Sequence, residues 1–191
     1  MKKFIRYITI PFAALLGSCS RPAERPSTAQ PASDAVSFYS FKMNDLSGKE
    51  VDFKQFRGKK ILIVNTASKC GFTHQYAELE KLNKEYADKI LVLGFPSNDF
   101  GGQEPGDAKQ IQDFCTQNYS VTFLLFDKIH VKGNQQVPLF KWLSDKTQNG
   151  WNKQEPTWNF CKYILNEKGE LIAFFPSRVS PMDEMILSKL K

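Results

Sequence analysis

The sequence is short of the residues from which metal sites and dithiol redox motifs are built. Its 191 residues include only two histidines and four cysteines, and no two cysteines are spaced as C-x-x-C. Without paired ligands no zinc site is expected, and the motif of a dithiol exchange protein is absent for the same reason. We therefore predict neither a metal nor another cofactor.

The sequence also lacks a membrane-spanning run and a concentrated patch of one charge. The apolar core near the N-terminus, Ile8 to Leu16, is much shorter than the roughly 20 residues that cross a bilayer. The net charge is +6, but the basic residues are dispersed and form no stripe. Nucleic acid is therefore not an expected partner.

The start of the chain has the pattern of a secretory signal. Lys2, Lys3 and Arg6 form a basic start, the apolar core follows, and small residues precede Cys19. The stretch LGSC resembles the bacterial lipoprotein box, in which the signal is removed before the cysteine and the cysteine is acylated. An ordinary signal peptide is the alternative; we favour the lipoprotein because Cys19 directly ends the apolar core.

This interpretation divides the chain into three parts. Residues 1–18 are the signal peptide, 19–35 are the lipidated cysteine and a flexible Pro/Ala/Ser linker, and 36–191 form one folded domain. Loss of the signal removes three positive charges from the net +6 and leaves +3. We expect a cell-envelope protein, lipid-anchored to a membrane on its periplasmic or extracytoplasmic side.

The hydrophobic pattern of the domain predicts an α/β fold. Apolar runs at 60–65 and 90–95 are typical of strands buried on both faces, and the apolar spacing over 73–87 predicts a helix between them. Such a unit has parallel strands. The remaining predictions are hairpins at 38–53 and 161–175, helices at 108–115, 138–144 and 181–190, and a strand at 121–126. We expect a central mixed sheet flanked by helices, with an extra N-terminal hairpin.

Cys70 occupies a position suited to a reactive thiol. It follows the first central strand and precedes the first helix, where free backbone N–H groups and the helix dipole favour a thiolate. Lys69 adds a cation, and Gly71 leaves the approach open. A packed structural cysteine is the alternative, although such a residue more often lies within the apolar run.

Four stretches of the domain resemble the signature blocks of the glutathione peroxidases, in order and over residues 38–176. They are NTASKCGFTHQYAELEKL, GFPSNDFGGQEPG, DFCTQNYSVTFLLF and WNFCKYILNEKGE. The resemblance implies a thioredoxin-like fold and a peroxidase that reduces hydrogen peroxide and organic or lipid hydroperoxides. It implies that Cys70 attacks the peroxide and becomes a sulfenic acid, assisted by Gln103, Trp158 and Asn159.

The resemblance also assigns Cys115 as the resolving cysteine. A disulfide requires Cα atoms closer than about 7 Å, so we expect the helix that carries Cys115 to unwind locally before a Cys70–Cys115 disulfide closes. Family members of this type are typically reduced by thioredoxin-like proteins rather than by glutathione. A buried helix cysteine without chemistry is the alternative.

Some positions depart from the family pattern. Ser97 stands where many relatives have cysteine, and Asp99 replaces a common glutamine and adds a negative charge near the loop. Cys161 is extra, and we expect it to pack in the core. His74 follows Cys70 by four residues, but we interpret it as exposed rather than as a base; His130 gives no functional signal.

Two other functions use the same features. A redox sensor or relay would be oxidised once at the same cysteine pair, whereas an enzyme cycles many times with a reductant. A copper-delivery protein would need paired cysteines and a histidine near the first helix, and only one cysteine lies there. The segment between Leu143 and Trp158 lacks the longer insertion that forms the oligomer contact in vertebrate members of the resembled family, so the resemblance implies a monomer. We therefore expect a peroxidase with a hydroperoxide, a reductant and the membrane as partners.

Overall fold

The computed structural model describes residues 21–29 and 32–191. The predicted signal peptide and Cys19 lie outside these residues. The strands are β1 (Ala23–Glu24), β2 (Lys42–Asn44), β3 (Glu50–Asp52), β4 (Lys60–Thr66), β5 (Ile90–Pro96), β6 (Leu124–Leu125), β7 (Lys162–Leu165) and β8 (Leu171–Phe175). The α-helices are α1 (Gln75–Glu85), α2 (Ala108–Tyr119), α3 (Pro138–Ser144), α4 (Lys146–Asn149) and α5 (Glu184–Leu187). Short 3-10 helices span Phe38–Ser40, Phe53–Phe56 and Ser188–Leu190.

One mixed sheet organises the domain. Its strand order is β1-β8-β7-β4-β5-β6, with β4, β5 and β6 parallel and β7 antiparallel to β4. The pair β2–β3 forms a separate antiparallel hairpin. These findings confirm the predicted α/β class, the central mixed sheet and the N-terminal hairpin.

The sheet separates two buried clusters because successive side chains of a strand point to opposite faces. In β4, Ile61 and Ile63 face the cluster covered by the N-terminal hairpin and α3, here called the hairpin-side core. Leu62 and Val64 face the cluster covered by α1 and α2, here called the α1-side core. The cysteines can be assigned to these two cores: Cys161 belongs to the hairpin-side core, and Cys70 and Cys115 belong to the α1-side core.

Three elements differ from the predicted bounds. The predicted strand 121–126 is reduced to β6, which pairs only with Leu93 and Gly94 of β5. The helix predicted over 108–115 continues to Tyr119, where Ser120 ends it with φ of 52°. The predicted closing helix is split into α5 and a 3-10 turn. The polar residues 116–118 gave no apolar spacing from which the longer helix could be recognised.

The segment predicted as a flexible linker contributes a strand. Ala23 and Glu24 pair antiparallel with Phe174 and Ala173 of β8, and the N–H of Arg25 donates to the carbonyl of Ile172 at 2.9 Å. Pairing occurs because the outer edge of β8 offers backbone groups that another strand can satisfy. Residues 23–25 are therefore attached to the sheet and do not form a free spacer. The domain start predicted at residue 36 stays a prediction.

Candidate active site

Cys70 lies at the carboxyl end of β4, in the turn that leads to α1. Its N–H donates to the Thr73 hydroxyl at 2.9 Å, and that hydroxyl donates to the carbonyl of Ala67 at 2.9 Å. This pair of bonds closes the turn around the cysteine. Thr73 was not singled out from the sequence, where it looks like an ordinary residue near a helix start.

The sulfur of Cys70 is supported by the backbone. The N–H of Phe72 donates to Sγ at 3.4 Å, and the residue is 9% exposed. An N–H donor to sulfur stabilises a thiolate, and the remaining exposure allows a small reactant to approach. The reactivity of this thiol stays a prediction.

Gln103 and Asn159 are brought together next to the Cys70 turn. The amide of Asn159 donates to Oε1 of Gln103 at 3.0 Å, and the carbonyl of Gln103 accepts from the N–H of Lys69 at 3.0 Å. Asn159 is fully buried, and its Oδ1 has no partner among the described residues. A buried acceptor without a partner is uncommon in a folded protein, so this amide calls for a functional explanation.

Asn65 holds the segment that carries Trp158 and Asn159. Its side chain donates to the carbonyl of Trp158 at 3.0 Å and accepts from the N–H of Cys161 at 3.0 Å. Its own carbonyl accepts from the N–H of Phe160 at 2.6 Å. Phe160 has φ of 65°, a left-handed conformation that a bulky residue rarely adopts. Asn65 thus enforces a strained turn that ties the two segments together.

Asn65 positions two candidate site residues, a role that the sequence does not reveal. In the sequence it stands only as the last residue of the apolar run 60–65. The available signal was a fully buried position filled by a polar side chain directly before the Cys70 turn, because such a side chain must find partners.

Trp158 lies at the rim of the site rather than in its interior. Its side chain is 39% exposed, and its ring centroid is 5.8 Å from that of Phe100. Among the described residues no hydrogen bond joins the Cys70 sulfur to Gln103, Trp158 or Asn159. The predicted residues therefore lie around the Cys70 turn, but their side chains do not hydrogen-bond to the Cys70 sulfur.

Cys115 lies in the C-terminal half of α2 and is fully buried in the α1-side core, which also contains Cys70. Burial raises the pKa of the Cys115 thiol to about 11; the Tyr76 hydroxyl opposes this shift and the charge of Glu104 adds to it. A capping box of Asp107 and Gln110 fixes the start of α2. Local opening is therefore expected from the C-terminal end, where Cys115 lies.

The three described cysteines are free thiols. Cys161 is fully buried in the hairpin-side core, and its Sγ lies 3.6 Å from the Ser177 hydroxyl. It faces the opposite side of the sheet from Cys70 and Cys115. This position agrees with the expected packing role.

Asp99 is held by groups around His130 and is not left as a free charge in the loop. Its carboxylate accepts from the N–H groups of Val131 at 2.6 Å and Lys132 at 3.3 Å, and it lies 2.6 Å from Nδ1 of His130. Burial alone would raise the pKa of Asp99, but the His130 and backbone hydrogen bonds outweigh it and lower that pKa. The charge is thus taken up locally, and His130 has a partner that the sequence did not reveal. His74 is exposed, as predicted.

Glu104 is a buried carboxyl that adjoins the site and was not predicted. Its Oε1 accepts from the Ser68 hydroxyl at 2.6 Å, while its Oε2 has no partner among the described residues. Burial raises the pKa of Glu104, although Ser68 and the charges of Lys128 and Lys69 oppose the shift. The folded protein therefore binds this proton more tightly than the unfolded chain does.

Glu104→Gln is expected to raise stability at neutral pH while leaving stability at acidic pH nearly unchanged. The pKa of Glu104 in the folded protein lies above its ordinary value of 4.5. Below pH 4.5 the carboxyl is neutral in both the folded and the unfolded state and lowers stability least. As pH rises through the folded-state pKa, the buried carboxyl must ionise, and the free energy of unfolding falls. We expect a gain of roughly 1 kcal/mol at pH 7, or about 2–4 °C in Tm. Thermal unfolding from pH 4 to 8 measures it, with exposed Glu155→Gln as control. Parallel stability curves for Glu104→Gln and the unsubstituted protein would contradict this assignment.

No group of three metal-ligating side chains occurs within residues 21–29 and 32–191. None of the helices in the described part of the chain is long and apolar enough to cross a membrane. The site consists of a supported thiol, two amides, an indole at the rim and a buried second thiol. Such a set can attack an electrophilic oxygen and afterwards form a disulfide.

Comparison with known proteins gives consistent results. The family model described as glutathione peroxidase matches residues 38–144. The glutathione peroxidase-like peroxiredoxin GPX5 of Chlamydomonas reinhardtii is 45% identical over 145 residues, which cover 75% of this chain and 89% of that protein.

Solved structures extend the similarity to the fold. The crystal structure of Trgpx in its apo form has a TM-score of 0.63 and 40% identity, covering 82% of this chain and 94% of its own. A thioredoxin family protein from Chlorobium tepidum, a thiol:disulfide interchange protein, has a TM-score of 0.58 at 13% identity, covering 85% and 99% of the two chains. The latter shows only a common fold, which is the predicted thioredoxin-like one.

Proposed function

This chain belongs to the glutathione peroxidase family, and from that premise we propose that Cys70 is its peroxidatic residue and Cys115 its resolving residue. The protein is a thiol-dependent peroxidase, an oxidoreductase that reduces hydroperoxides. The observation that carries the residue assignment is the Cys70 turn. It supports the sulfur with the Phe72 N–H and lies beside the joined amides of Gln103 and Asn159.

In the first step the Cys70 thiolate attacks one oxygen of the peroxide. The O–O bond breaks, the sulfur gains an S–O bond and loses two electrons, and the other oxygen leaves as water or an alcohol after taking a proton. Side-chain amides and the Trp158 indole are donors without a competing negative charge. In this proposal they stabilise the negative charge that develops on the leaving oxygen.

In the second step the Cys115 sulfur attacks the sulfenic sulfur of Cys70. The S–O bond breaks, the oxygen leaves as water, and a Cys70–Cys115 disulfide forms. Location of both thiols in the α1-side core supports this pairing over one with Cys161. Opening of α2 precedes the attack, because Cys115 is fully buried in the helix.

A reductant then restores both thiols by thiol–disulfide exchange. A thioredoxin-like protein is the proposed reductant, with glutathione as the other candidate. This choice is supported by the resolving cysteine and by the similarity to a protein named as a peroxiredoxin. We also propose that the protein is monomeric and is held at a membrane by acylated Cys19. Membrane lipid hydroperoxides and hydrogen peroxide are its proposed substrates.

One equivalent of hydrogen peroxide added to the reduced protein is expected to produce a Cys70–Cys115 disulfide. A non-reducing peptide map identifies the linked peptides, and an untreated sample gives the background. A Cys70–Cys161 link would overturn the resolving assignment, and a Cys70 that remained a free thiol would overturn the peroxidatic one. Repeated turnover with a reductant distinguishes the enzyme from a sensor, which is oxidised once and then waits.

A further inference from the structure

The strand β1 fixes the point at which the N-terminal segment leaves the domain. Ala23 pairs with Phe174, Phe174 with Tyr163, and Tyr163 with Ile63. Ala23 is therefore level with Ile63, three residues before Thr66 ends β4. Because β1 runs antiparallel to β4, the chain that precedes Ala23 is directed toward the end of the sheet that carries the Cys70 turn.

Several contacts hold this segment on the sheet. Glu24 forms an ion pair with Lys189 at 2.7 Å, and Arg25 forms one with Glu170 at 3.3 Å. The backbone bond from Arg25 to Ile172 adds to them at 2.9 Å. Individually such exposed pairs are weak, but they flank the strand on two sides and favour one register.

The position of β1 limits how far the domain can be from an anchor at Cys19. Ala23 follows Cys19 by four positions, and a fully extended chain of four steps spans at most about 14 Å. A linker free up to residue 36 would span roughly 60 Å instead. The pairing with β8 therefore shortens the tether about fourfold.

From these observations we propose that β1 is a docking strand that turns the active-site end of the domain toward the membrane that holds Cys19. The three strand spacings between β1 and β4 amount to about 14 Å, so the Cys70 turn lies close to the exit point of the tether. The proposal rests on the proposed lipid anchor and peroxidase function. The partner that we assign to the active-site end of the domain is the bilayer surface itself.

The residues at this end suit a bilayer surface. Trp158 is 39% exposed at the rim of the site, and indole rings favour the membrane–water interface. Lys69 is exposed in the Cys70 turn, and a cation there is attracted to anionic lipid head groups. A hydroperoxide group on a membrane lipid would then meet Cys70 without leaving the interface.

Arg25→Pro tests the proposal on the full-length, acylated protein reconstituted in vesicles. Proline removes both the N–H that donates to Ile172 and the cation that pairs with Glu170, at an exposed edge outside the catalytic residues. Ser27→Pro is the matched control, because Ser27 is exposed and follows β1. Cys19→Ser provides the protein without an anchor.

Two readouts are compared at equal protein density. With Arg25→Pro we expect turnover of a phospholipid hydroperoxide in the same vesicle to fall about fivefold or more, while turnover of hydrogen peroxide is unchanged. Quenching of tryptophan fluorescence by brominated phospholipids is expected to fall in parallel, because Trp158 then spends less time at the interface. Ser27→Pro should match the unsubstituted protein in both.

The outcomes separate the orientation from the function on which it rests. If Arg25→Pro leaves either the lipid-to-hydrogen-peroxide activity ratio or the quenching unchanged, the docking role of β1 is wrong. An unacylated Cys19, detected by mass spectrometry, would overturn the proposal together with the anchor. Absence of hydrogen peroxide turnover in the unsubstituted protein would instead refute the peroxidase function.

Discussion

Cys70→Ser is expected to lower peroxidase turnover by about 10³-fold or more, to the rate of the uncatalysed background. A serine hydroxyl is not ionised at neutral pH, and it cannot be oxidised to the equivalent of a sulfenic acid. The Phe72 N–H that donates to Sγ at 3.4 Å can donate to the smaller oxygen instead, so the turn should persist. Turnover is measured by coupling consumption of hydrogen peroxide to thioredoxin and its reductase.

Cys161→Ser is the matched control for this substitution. It changes the same atoms in the hairpin-side core, on the other side of the sheet, and should retain most of the turnover. Thermal unfolding of both variants separates loss of chemistry from loss of fold. Appreciable turnover by folded Cys70→Ser would show that another residue attacks the peroxide.

Cys115→Ser is expected to separate the two halves of the reaction. Oxidation of Cys70 should proceed at its normal rate, because that step does not use Cys115. Thioredoxin-dependent turnover should fall roughly 100-fold or more, since the sulfenic acid has no internal thiol to attack it. A sulfenic acid reagent such as dimedone should label Cys70 in this variant and not in the unsubstituted protein.

The pH dependence of resolution follows from the burial of Cys115. With a pKa of about 11, the buried thiol is ionised to only roughly one part in 10⁴ at pH 7. Opening of α2 returns the thiol toward its ordinary pKa, so deprotonation favours the open form. Resolution should therefore accelerate as pH rises from 7 to 9, as followed by rapid mixing after peroxide. Normal thioredoxin-dependent turnover by Cys115→Ser would contradict the resolving role.

The parts of the fold that could be predicted are those in which local pattern and tertiary environment agree. The apolar runs that became β4 and β5 are buried on both faces, and the apolar spacing of α1 places Tyr76, Leu79 and Leu82 in the core. The position of Cys70 after β4 could be placed for the same reason. In each case the spacing of the apolar residues predicts which face of the strand or helix is buried.

The parts that could not be predicted depend on contacts between distant segments. Ala23 and Glu24 lie among prolines and have no strand pattern, so β1 exists only because the edge of β8 is open. A polar side chain at the end of a buried strand marks Asn65 as a residue that needs partners, but its bonds to the strained turn at Phe160 are visible only in the structure. The partner of Asp99 could not be predicted for the same reason, because His130 lies 31 residues away in the sequence.

Separation of the thiols by the sheet limits which disulfides the folded domain can form. Three cysteines outside the predicted lipid site allow three pairings, and two of them involve Cys161. Once the sheet has formed, those two pairings would have to connect opposite faces of it. Pairings that involve Cys161 are therefore expected only in the unfolded chain. In the folded domain, repeated oxidation is expected to return to the one pairing that stays on a single side of the sheet, Cys70 with Cys115.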